Sequence, residues 1–334
     1  MRSFTPCKVI LFGEHAVPYD KRGVAAAIGE GTYIDAHRKG EGLGILMPFE
    51  PKSVSISKTD LFEKLAEFRK NYETKNFEAL KSMSFVDSIQ VVAGETMQRL
   101  GFENLEISVD FKEGIKGIGR SASIYSGIVT AIYAELGSSL TKNEVNEIAY
   151  LGDVIAHGGM PSGIDTSTVT FGGYLSYKKS EGPRPLTIDY TIPLLVVDSG
   201  EPSRTKDAVS FVKELRNKEP KRINEILDNI DLLSEEAITL LRKSDLQGIG
   251  TLAKENNSLL RALGVSTPRL DEIIQIANGN GALGAKITGA GMGGCAIVIS
   301  SDSSESEKLK KRFLDKGFRA ILTTLGVEGS RIIE

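Results

Sequence analysis

The placement of glycine constrains this sequence more than any other feature. The chain has 35 glycines, somewhat above the usual share of about 7%, and many of them gather in three groups. The first includes Gly117 and Gly119, the second surrounds Asp165, and the third runs from Gly279 to Gly294. Each group lies beside a strong helix or strand pattern, where glycine lets the backbone approach a ligand closely. The clusters therefore predict ligand-binding loops rather than flexible linkers.

Length, charge and cysteine content exclude several classes of protein. The 334 residues are enough for two domains that share one cleft, at roughly 100 to 200 residues per domain. A net charge of -3 offers no general attraction to nucleic acid or to an anionic membrane, and no apolar run approaches the roughly 20 residues that span a bilayer. Cys7 and Cys295 form no CxxC pair, so neither a disulfide framework nor a structural zinc site is expected. These features predict a cytoplasmic protein without nucleic-acid or membrane partners.

Apolar periodicity predicts an α+β protein in two lobes, which we divide into residues 1–185 and 186–334. Thr141, with Glu144 three positions later, predicts the start of a helix. Residues 51–83 are assigned only as a variable helical connection. Strands are predicted at residues 8–12, 24–28, 32–36, 105–111, 173–177, 194–197, 284–288, 295–299 and 319–324. Helices are predicted at residues 85–100, 121–135, 142–156, through most of 203–277, with breaks near Pro220, Ser244 and Pro268, and at 304–316.

The first glycine group forms the segment GIGRSAS at residues 117–123, between a predicted strand and an apolar helix. Free backbone N–H groups at a helix start, together with the positive end of the helix dipole, bind anions such as phosphate. The segment is neither a Walker A loop nor the GxGxxG of a first Rossmann strand. On its own, it fits a plain tight turn as well as a phosphate-binding loop.

The second group presents one carboxylate, Asp165, on a turn-rich segment after a helix. A carboxylate held rigidly can accept a hydroxyl proton in phosphoryl transfer, so Asp165 is a candidate general base. Asp153 and His157 are four residues apart on the preceding helix and share a face, which could direct Asp153 toward a metal. The alternative is a solvated aspartate and a helix-end histidine that interacts with the dipole.

The third group, KITGAGMGGC at residues 286–295, joins two predicted strands. A tight hairpin needs about two loop residues, and this run is longer and almost free of side chains. It could line a nucleotide or substrate pocket, or it could be a glycine-rich hairpin. Lys8 before the first apolar run, and Glu14 and His15 after it, would each be ordinary surface or core residues if they occurred alone.

Together, these segments resemble a known family. KVILFGEHAV at residues 8–17, GIGRSAS and KITGAGMGGC resemble, in order and spacing, the three motifs of the galactokinase, homoserine kinase, mevalonate kinase and phosphomevalonate kinase (GHMP) superfamily. Within it, HGGMPSGIDTSTVTFGG at 157–173 and DSGEPSRTK at 198–206 are similar to the mevalonate kinases. The resemblance implies a two-lobed GHMP kinase fold, with a ribosomal protein S5 domain 2-like N-terminal lobe and a ferredoxin-like α/β C-terminal lobe. It also implies an active site in the cleft, ATP and Mg²⁺ as cofactors, and a homodimer.

The resemblance also implies roles for individual residues. Asp165 matches the catalytic aspartate that activates the 5-hydroxyl of mevalonate, and Lys8 matches the lysine that stabilises the charges beside it. Ser121 and Asp153 match the ligands of Mg²⁺. The residues implied to hold the ATP phosphates are Gly114, Lys116, Gly117, Ile118, Gly119, Arg120, Ser121, Ala122 and Ser123. Those implied to face the substrate are Glu14, His15, Ser162, Gly163, Ser203, Thr205, Gly289 and Ala290.

The sequence departs from the family pattern at several positions. Cys7 and Met292 stand where glycine is usual, Asp153 replaces glutamate, and Gly159-Met160 adds a loop residue. Arg120 replaces the first serine of a pair, and it could clamp the transferring phosphate or be a solvated side chain. The alternatives for function are another kinase of the superfamily, acting on phosphomevalonate or homoserine, and a catalytically silent ligand sensor on the same fold.

Overall fold

The computed structural model describes residues 1–48, 54–111, 115–159 and 161–333. Two β-sheets organise these residues, and helices pack on both. The eight strands of the first sheet are β1 (Arg2–Phe12), β2 (Gly23–Arg38), β3 (Leu43–Leu46), β4 (Val54–Ile56), β5 (Leu105–Asp110), β6 (Tyr174–Lys178), β7 (Gly182–Leu186) and β12 (Arg331–Ile332). The four strands of the second are β8 (Leu194–Asp198), β9 (Gly284–Thr288), β10 (Cys295–Ile299) and β11 (Arg319–Leu322).

The helices follow the apolar periodicity of the sequence. They are α1 (Lys58–Glu73), α2 (Phe77–Ser82), α3 (Phe85–Leu100), α4 (Arg120–Glu135), α5 (Lys142–Ala156), α6 (Ile164–Phe171), α7 (Thr205–Lys218), α8 (Pro220–Arg242), α9 (Leu246–Ala262), α10 (Pro268–Gly279) and α11 (Ser303–Asp315). The predicted start of α5 is confirmed, because Thr141 and Glu144 form a reciprocal capping box. Within the described residues, no helix is both long and apolar enough to cross a membrane.

The first sheet has the order β12-β1-β2-β5-β3-β4, and β6 pairs with β2 on one side and with β7 on the other. The second sheet is antiparallel throughout, in the order β11-β8-β10-β9. The division that we propose after residue 185 has two exceptions to a clean separation of the sheets. Leu186, the last residue of β7, falls after it, and β12 follows the second sheet in sequence but pairs with β1 of the first. The active-site strand β1 therefore lies between β12 and β2.

The structure differs from the sequence predictions in several places. Strands β3, β7 and β12 were not predicted, and β4 lies in the stretch assigned as a helical connection. The two strands predicted at residues 24–28 and 32–36 are one continuous strand, β2, whose pairing with β1 shifts register between Pro6 and Cys7. Residues 164–171, which the sequence placed on a turn leading into a strand, form helix α6. Five β-branched residues in this segment favour a strand locally, but the helix buries six of its eight residues against its neighbours. Tertiary burial therefore outweighs local preference.

Helix α4 is the centre of the first lobe. It is buried along most of its length, from Ala122 to Ala134, and it contacts β1, β2, α3, α5 and α6. Its buried hydroxyls bond to neighbouring elements, as Ser126 does to Thr170 on α6 at 2.8 Å. Because every buried polar group here finds a partner, the helix is fixed in position and its N-terminal end is a rigid support for the loop before it.

Candidate active site

One cleft of about 580 Å³ brings the three glycine motifs together. It lies where β1 and the start of α4, from the first lobe, face the loop after β9 and the segment before α7, from the second. Side chains or backbone from all three motifs line it, so residues far apart in sequence converge on one cavity. The predicted residues that line it are Lys8, Glu14, His15, Gly117, Gly119, Arg120, Ser121, Ala122, Asp153, Ser162, Asp165, Ser203, Thr205, Gly289 and Ala290.

The remaining predicted residues do not line the cleft. Ser123 is fully buried; its hydroxyl bonds to Thr32 Oγ1 at 2.6 Å and donates to the Thr5 carbonyl at 2.7 Å, so its side chain is part of the core rather than a phosphate ligand. Ile118 also packs in the core. Lys116 is exposed outside the cavity, and Gly163 caps the start of α6. Gly114 lies outside the described residues.

An ion pair between Lys8 and Asp165 lies in the lining of the cleft. Lys8 Nζ lies 2.9 Å from Asp165 Oδ1, with the lysine side chain 3% exposed and the carboxylate 18% exposed. Lys8 projects from β1, and Asp165 lies in the first turn of α6 rather than on the turn that the sequence suggested. A carboxylate that is open to the cleft and paired with a buried ammonium can accept a proton from a bound hydroxyl.

Gly119 explains how the phosphate loop and the lysine fit together. Its backbone has φ +74°, and a Cβ at this position would lie 2.7 Å from Lys8 Cε. The lysine side chain therefore passes directly over the glycine on its way to Asp165. The amide of Lys8 also donates to the Ile118 carbonyl at 2.9 Å, so the loop that starts α4 is attached to β1 at the residue that pairs with Asp165.

Replacing Gly119 with alanine should therefore displace Lys8. We expect kcat to fall by about tenfold or more and the protein to lose about 1–3 kcal/mol of stability, because a Cβ at positive φ is strained and also meets the lysine. Steady-state kinetics and thermal unfolding measure the two effects.

Gly137→Ala is the matched control, because Gly137 has φ +67° and open space around its missing Cβ. The Gly137→Ala variant has the same kind of backbone strain at positive φ, but its added Cβ meets no neighbouring atom. Equal kcat values for the two variants would show that contact with Lys8 is not the reason for glycine at position 119.

A second acidic group, Asp153, also lines the cleft. Its Oδ1 pairs with His157 Nδ1 at 3.2 Å, and its side chain is 2% exposed. Burial alone would lower the pKa of His157, but the Asp153 carboxylate outweighs burial and raises it to about 9. His157 is therefore protonated at neutral pH and neutralises one side of the carboxylate.

Asp153 also has a free ligand atom. Its Oδ2 is buried and has no hydrogen-bond partner among the described residues, and the Ser121 side chain lines the same cavity from the first turn of α4. No cluster of three or more His, Cys, Asp or Glu suited to a metal occurs in the described parts of the chain. One carboxylate oxygen and one hydroxyl fit Mg²⁺, which needs few protein ligands when phosphates and water complete its shell.

Arg120 is held against the protein at the edge of the cleft. Its guanidinium carbon lies 4.2 Å from the centre of the Phe111 ring, and Nη2 donates to the Ile115 carbonyl at 3.1 Å. The Arg120 side chain is therefore not freely solvated, and it contacts the segment that leads into α4. In this position it supports the polypeptide that enters the phosphate loop, and a role as a phosphate clamp stays a hypothesis.

The third motif lines the cleft next to the glycine loop that starts α4. Residues 289–294 join β9 to its antiparallel neighbour β10, so the run is a hairpin connection of six residues rather than a tight turn. A Cβ on Gly117 would lie 3.3 Å from Gly294 Cα, and Cys295 Sγ donates to the Lys116 carbonyl at 2.7 Å. The two glycine loops therefore meet backbone to backbone, which side chains would prevent.

The sequence analysis assigned no role to several residues in or next to the cleft. Phe77 and Lys81 on α2 and Lys213 on α7 line it, and Lys286 on β9 is fully buried and contacts Glu14, a residue of the cleft lining. Lys286 could have been singled out from the sequence, because it is a charged residue between apolar neighbours at the start of the third motif. The residues of α2 gave no signal, because they lie in the polar stretch that periodicity assigned only as a variable connection.

Comparison with known proteins agrees with this geometry. The family profile of the GHMP kinases N terminal domain matches residues 87–173, and that of the GHMP kinases C terminal matches residues 237–319. A mevalonate kinase from Thermococcus gammatolerans is 31% identical, over 98% of this chain and 97% of the relative.

Solved structures give the same result. The crystal structure of the Methanococcus jannaschii mevalonate kinase has a TM-score of 0.79 and 26% identity, over 97% of this chain and 98% of that one. That of the L. major mevalonate kinase in complex with R-mevalonate has a TM-score of 0.77 and 26% identity, over 98% and 97%. With these matches over its full length and a reactive cleft built from the three motifs, the chain belongs to the mevalonate kinase family of ATP-dependent GHMP kinases.

Proposed function

We propose that this protein transfers the γ-phosphoryl group of Mg·ATP to the 5-hydroxyl of mevalonate, giving 5-phosphomevalonate and ADP for isoprenoid synthesis. The observation that carries the proposal is the pair of Lys8 and Asp165, 2.9 Å apart, beside a glycine-rich helix start in the same cleft. A general base next to a phosphate-binding loop is the arrangement that phosphoryl transfer to an alcohol requires. Membership of the mevalonate kinase family supports mevalonate as the alcohol.

Each of these residues has a separate role in the proposed reaction. The substrate hydroxyl gives its proton to Asp165 as its oxygen bonds to the γ-phosphorus, and the bond from that phosphorus to the β,γ-bridging oxygen breaks to release ADP. Lys8 stabilises the negative charge on the attacking oxygen. The backbone N–H groups of Gly119 and the first turn of α4 hold the phosphates at the positive end of the helix dipole.

Ser121 and Asp153 are proposed to hold the magnesium ion. Asp153 Oδ2, which is buried and has no partner among the described residues, supplies the carboxylate oxygen, and Ser121 supplies a hydroxyl. When bound, Mg²⁺ neutralises charge on the ATP phosphates and orients them. His157 sets the orientation of the carboxylate through its contact with Oδ1.

The substrate is proposed to lie against the segment after β1 and the third motif. His15 Nε2 lies 2.8 Å from the Ala290 carbonyl, which fixes Nε2–H as the donor. Burial lowers the pKa of His15, so its ring is neutral at pH 7. Glu14, Ser162, Ser203 and Thr205 add polar atoms to the same part of the cleft, which suits an acid that carries hydroxyl groups.

One observation favours a second substrate of the same superfamily. Lys81 and Lys213 line the cleft in addition to Lys8 and Arg120, and extra cations suit a substrate that already carries phosphate. Phosphomevalonate is therefore the second candidate. Lys206 and Arg204, in the DSGEPSRTK segment, do not line the cleft.

An ADP-release assay tests the proposal. The protein is supplied with Mg·ATP and, separately, mevalonate, phosphomevalonate, homoserine and galactose, and NMR locates the phosphate on any product. We expect preferential turnover of mevalonate with phosphate on C5. Preference for another alcohol, or phosphate on C3, would overturn the substrate assignment, and ATP binding without turnover of any compound would favour the silent sensor.

We also propose that the protein is a cytoplasmic homodimer. The support for a dimer is the family resemblance. The support for the cytoplasm is that Cys7 and Cys295 are both free and buried, as in proteins of reducing compartments. Light scattering of the purified protein measures the oligomeric state, and a monomeric mass would contradict the dimer.

A further inference from the structure

A buried ion pair joins the two lobes behind the substrate side of the cleft. Lys286 of β9 donates from Nζ to Glu14 Oε1, and also to the Ile287 carbonyl at 2.6 Å. Both side chains are completely buried, at 0% exposure. Charged groups in such a place are retained only with partners, since removing either one leaves an uncompensated charge in the interior. Neither residue belongs to the reacting pair of Lys8 and Asp165.

Glu14 has a second oxygen that the protein does not use. Oε2 is buried and has no hydrogen-bond partner among the described residues, while Glu14 itself lines the cleft. An ionised carboxylate has acceptor sites on both oxygens. Because Lys286 occupies Oε1, Oε2 is left as an unpaired acceptor on a residue that lines the cleft.

Two further contacts fix the same pair of segments. The hydroxyl of Thr288, on β9, accepts from the Ile10 amide and donates to the Ile10 carbonyl, both at 2.9 Å. His15 Nε2 bonds to the carbonyl of Ala290 at 2.8 Å. The segment that carries Glu14 and His15 is thus attached to β9 at three points, and the ion pair is the point that bears charge.

The four charged groups alternate in sign from the interior to the reaction centre. Lys286 contacts Glu14, Lys8 lies near enough to influence the pKa values of both, and Lys8 contacts Asp165. Burial raises the pKa of Glu14 and lowers that of Lys286, and the attraction between them opposes both shifts. Without the lysine, burial would be opposed by less attraction, and the pKa of Glu14 would rise further in favour of the neutral acid.

We infer that Lys286 is a positioning residue for the phosphoryl acceptor. Acting through Glu14, it keeps an ionised carboxylate in the wall of the cleft, so that the alcohol substrate is held in place for Lys8 and Asp165. This inference rests on the proposed function, because it assigns Glu14 to the substrate rather than to ATP. The charge of Lys286, more than its bulk, is what the role requires.

The test compares Lys286→Met with Lys286→Arg. The methionine keeps the length and removes the charge, and we expect KM for mevalonate to rise by about tenfold or more, the value of a lost hydrogen bond to a charged group. KM for ATP should change by less than about twofold, because an effect confined to the alcohol reports loss of binding to that substrate. The arginine variant should recover part of the lost affinity.

A double variant keeps the test valid if Lys286→Met does not fold. Glu14→Gln/Lys286→Met leaves no unpaired charge in the interior, and it should bind mevalonate no worse than Glu14→Gln alone if the lysine acts only through Glu14. Lys142→Met is the matched control, since Lys142 Nζ also donates to two carbonyls, of Thr170 and Ser330, and does not line the cleft. It should lower the unfolding temperature and leave both KM values unchanged.

The possible failures are distinct. If the wild-type protein phosphorylates mevalonate and Lys286→Met retains the wild-type KM for it, the inference is wrong while the proposed function stands. The inference is also wrong if KM rises equally for ATP and mevalonate, since that is the result of a purely structural role. A wild-type protein that does not phosphorylate mevalonate contradicts the proposed function itself.

Discussion

Asp165→Asn should reduce kcat by about 10³- to 10⁴-fold, near the upper end of what a general base contributes. The amide has the same size as the carboxylate, but it cannot accept the proton of the substrate hydroxyl and carries no charge to pair with Lys8. The affinity for ATP should change by less than about twofold, because the loop and helix that hold the phosphates are untouched. Single-turnover kinetics and nucleotide titration measure the two quantities.

Asp110→Asn is the control for this variant. Asp110 is an aspartate at the end of β5 that is 65% exposed and pairs with Arg2. The Asp110→Asn variant therefore makes the same chemical change as Asp165→Asn at a position outside the cleft. Its kcat should equal that of the wild-type protein. A value for Asp165→Asn within about tenfold of wild type would mean that another group takes the proton, since positioning alone does not replace a base.

Lys8→Met should reduce kcat by about 10²- to 10³-fold, the effect of removing one group that stabilises charge in the transition state. The side chain is 3% exposed, so the methionine fills its volume while the ammonium beside Asp165 is lost. Lys8→Arg should not restore the rate, because the planar guanidinium is bulkier and the space over Gly119 admits little more than a methylene chain.

The double variant Lys8→Met/Asp165→Asn shows whether the two residues act as a unit. If they do, its kcat should match that of Asp165→Asn alone, because residues of one catalytic unit are strongly non-additive. If kcat of the double variant instead falls by the product of the two single-variant losses, the two residues contribute separately. Unfolding temperatures of all three variants control for damage to β1.

The cleft could be predicted from the sequence wherever a functional group belongs to a contiguous motif. Lys8, Ser121 and Asp165 each lie in a local string with its own backbone signal, so motif order was enough to bring them together. Lys286 and Glu14 meet across 272 positions, and nothing local in either segment specifies the other. Pairing of this kind depends on how the second sheet packs on β1, which periodicity does not report.

Helix α6 shows the same limit for secondary structure. Thr166, Thr168 and Thr170 gave it the local character of a strand, yet Thr168 Oγ1 donates to the Ile164 carbonyl at 2.7 Å, inside the helix. The hydroxyls are thus satisfied by helical backbone and by α4, and their burial stabilises the helix. The predicted phosphate contact of the Ser123 side chain is wrong for a related reason. A serine in a phosphate-binding motif and a serine in a buried hydroxyl network look the same in the sequence.

The pairing of β12 with β1 has a consequence for the order in which the protein is assembled. Phe4 pairs with Arg331, and the Thr5 hydroxyl bonds to Ser330 at 2.7 Å. During synthesis, β1 is made early but acquires this neighbour only after the whole second sheet has left the ribosome. Contacts of such long sequence separation slow folding, because loop closure precedes the gain in energy. The strand that carries the catalytic lysine is therefore among the last parts of the first sheet to be completed, so ribosome-bound chains that lack β12 should be inactive.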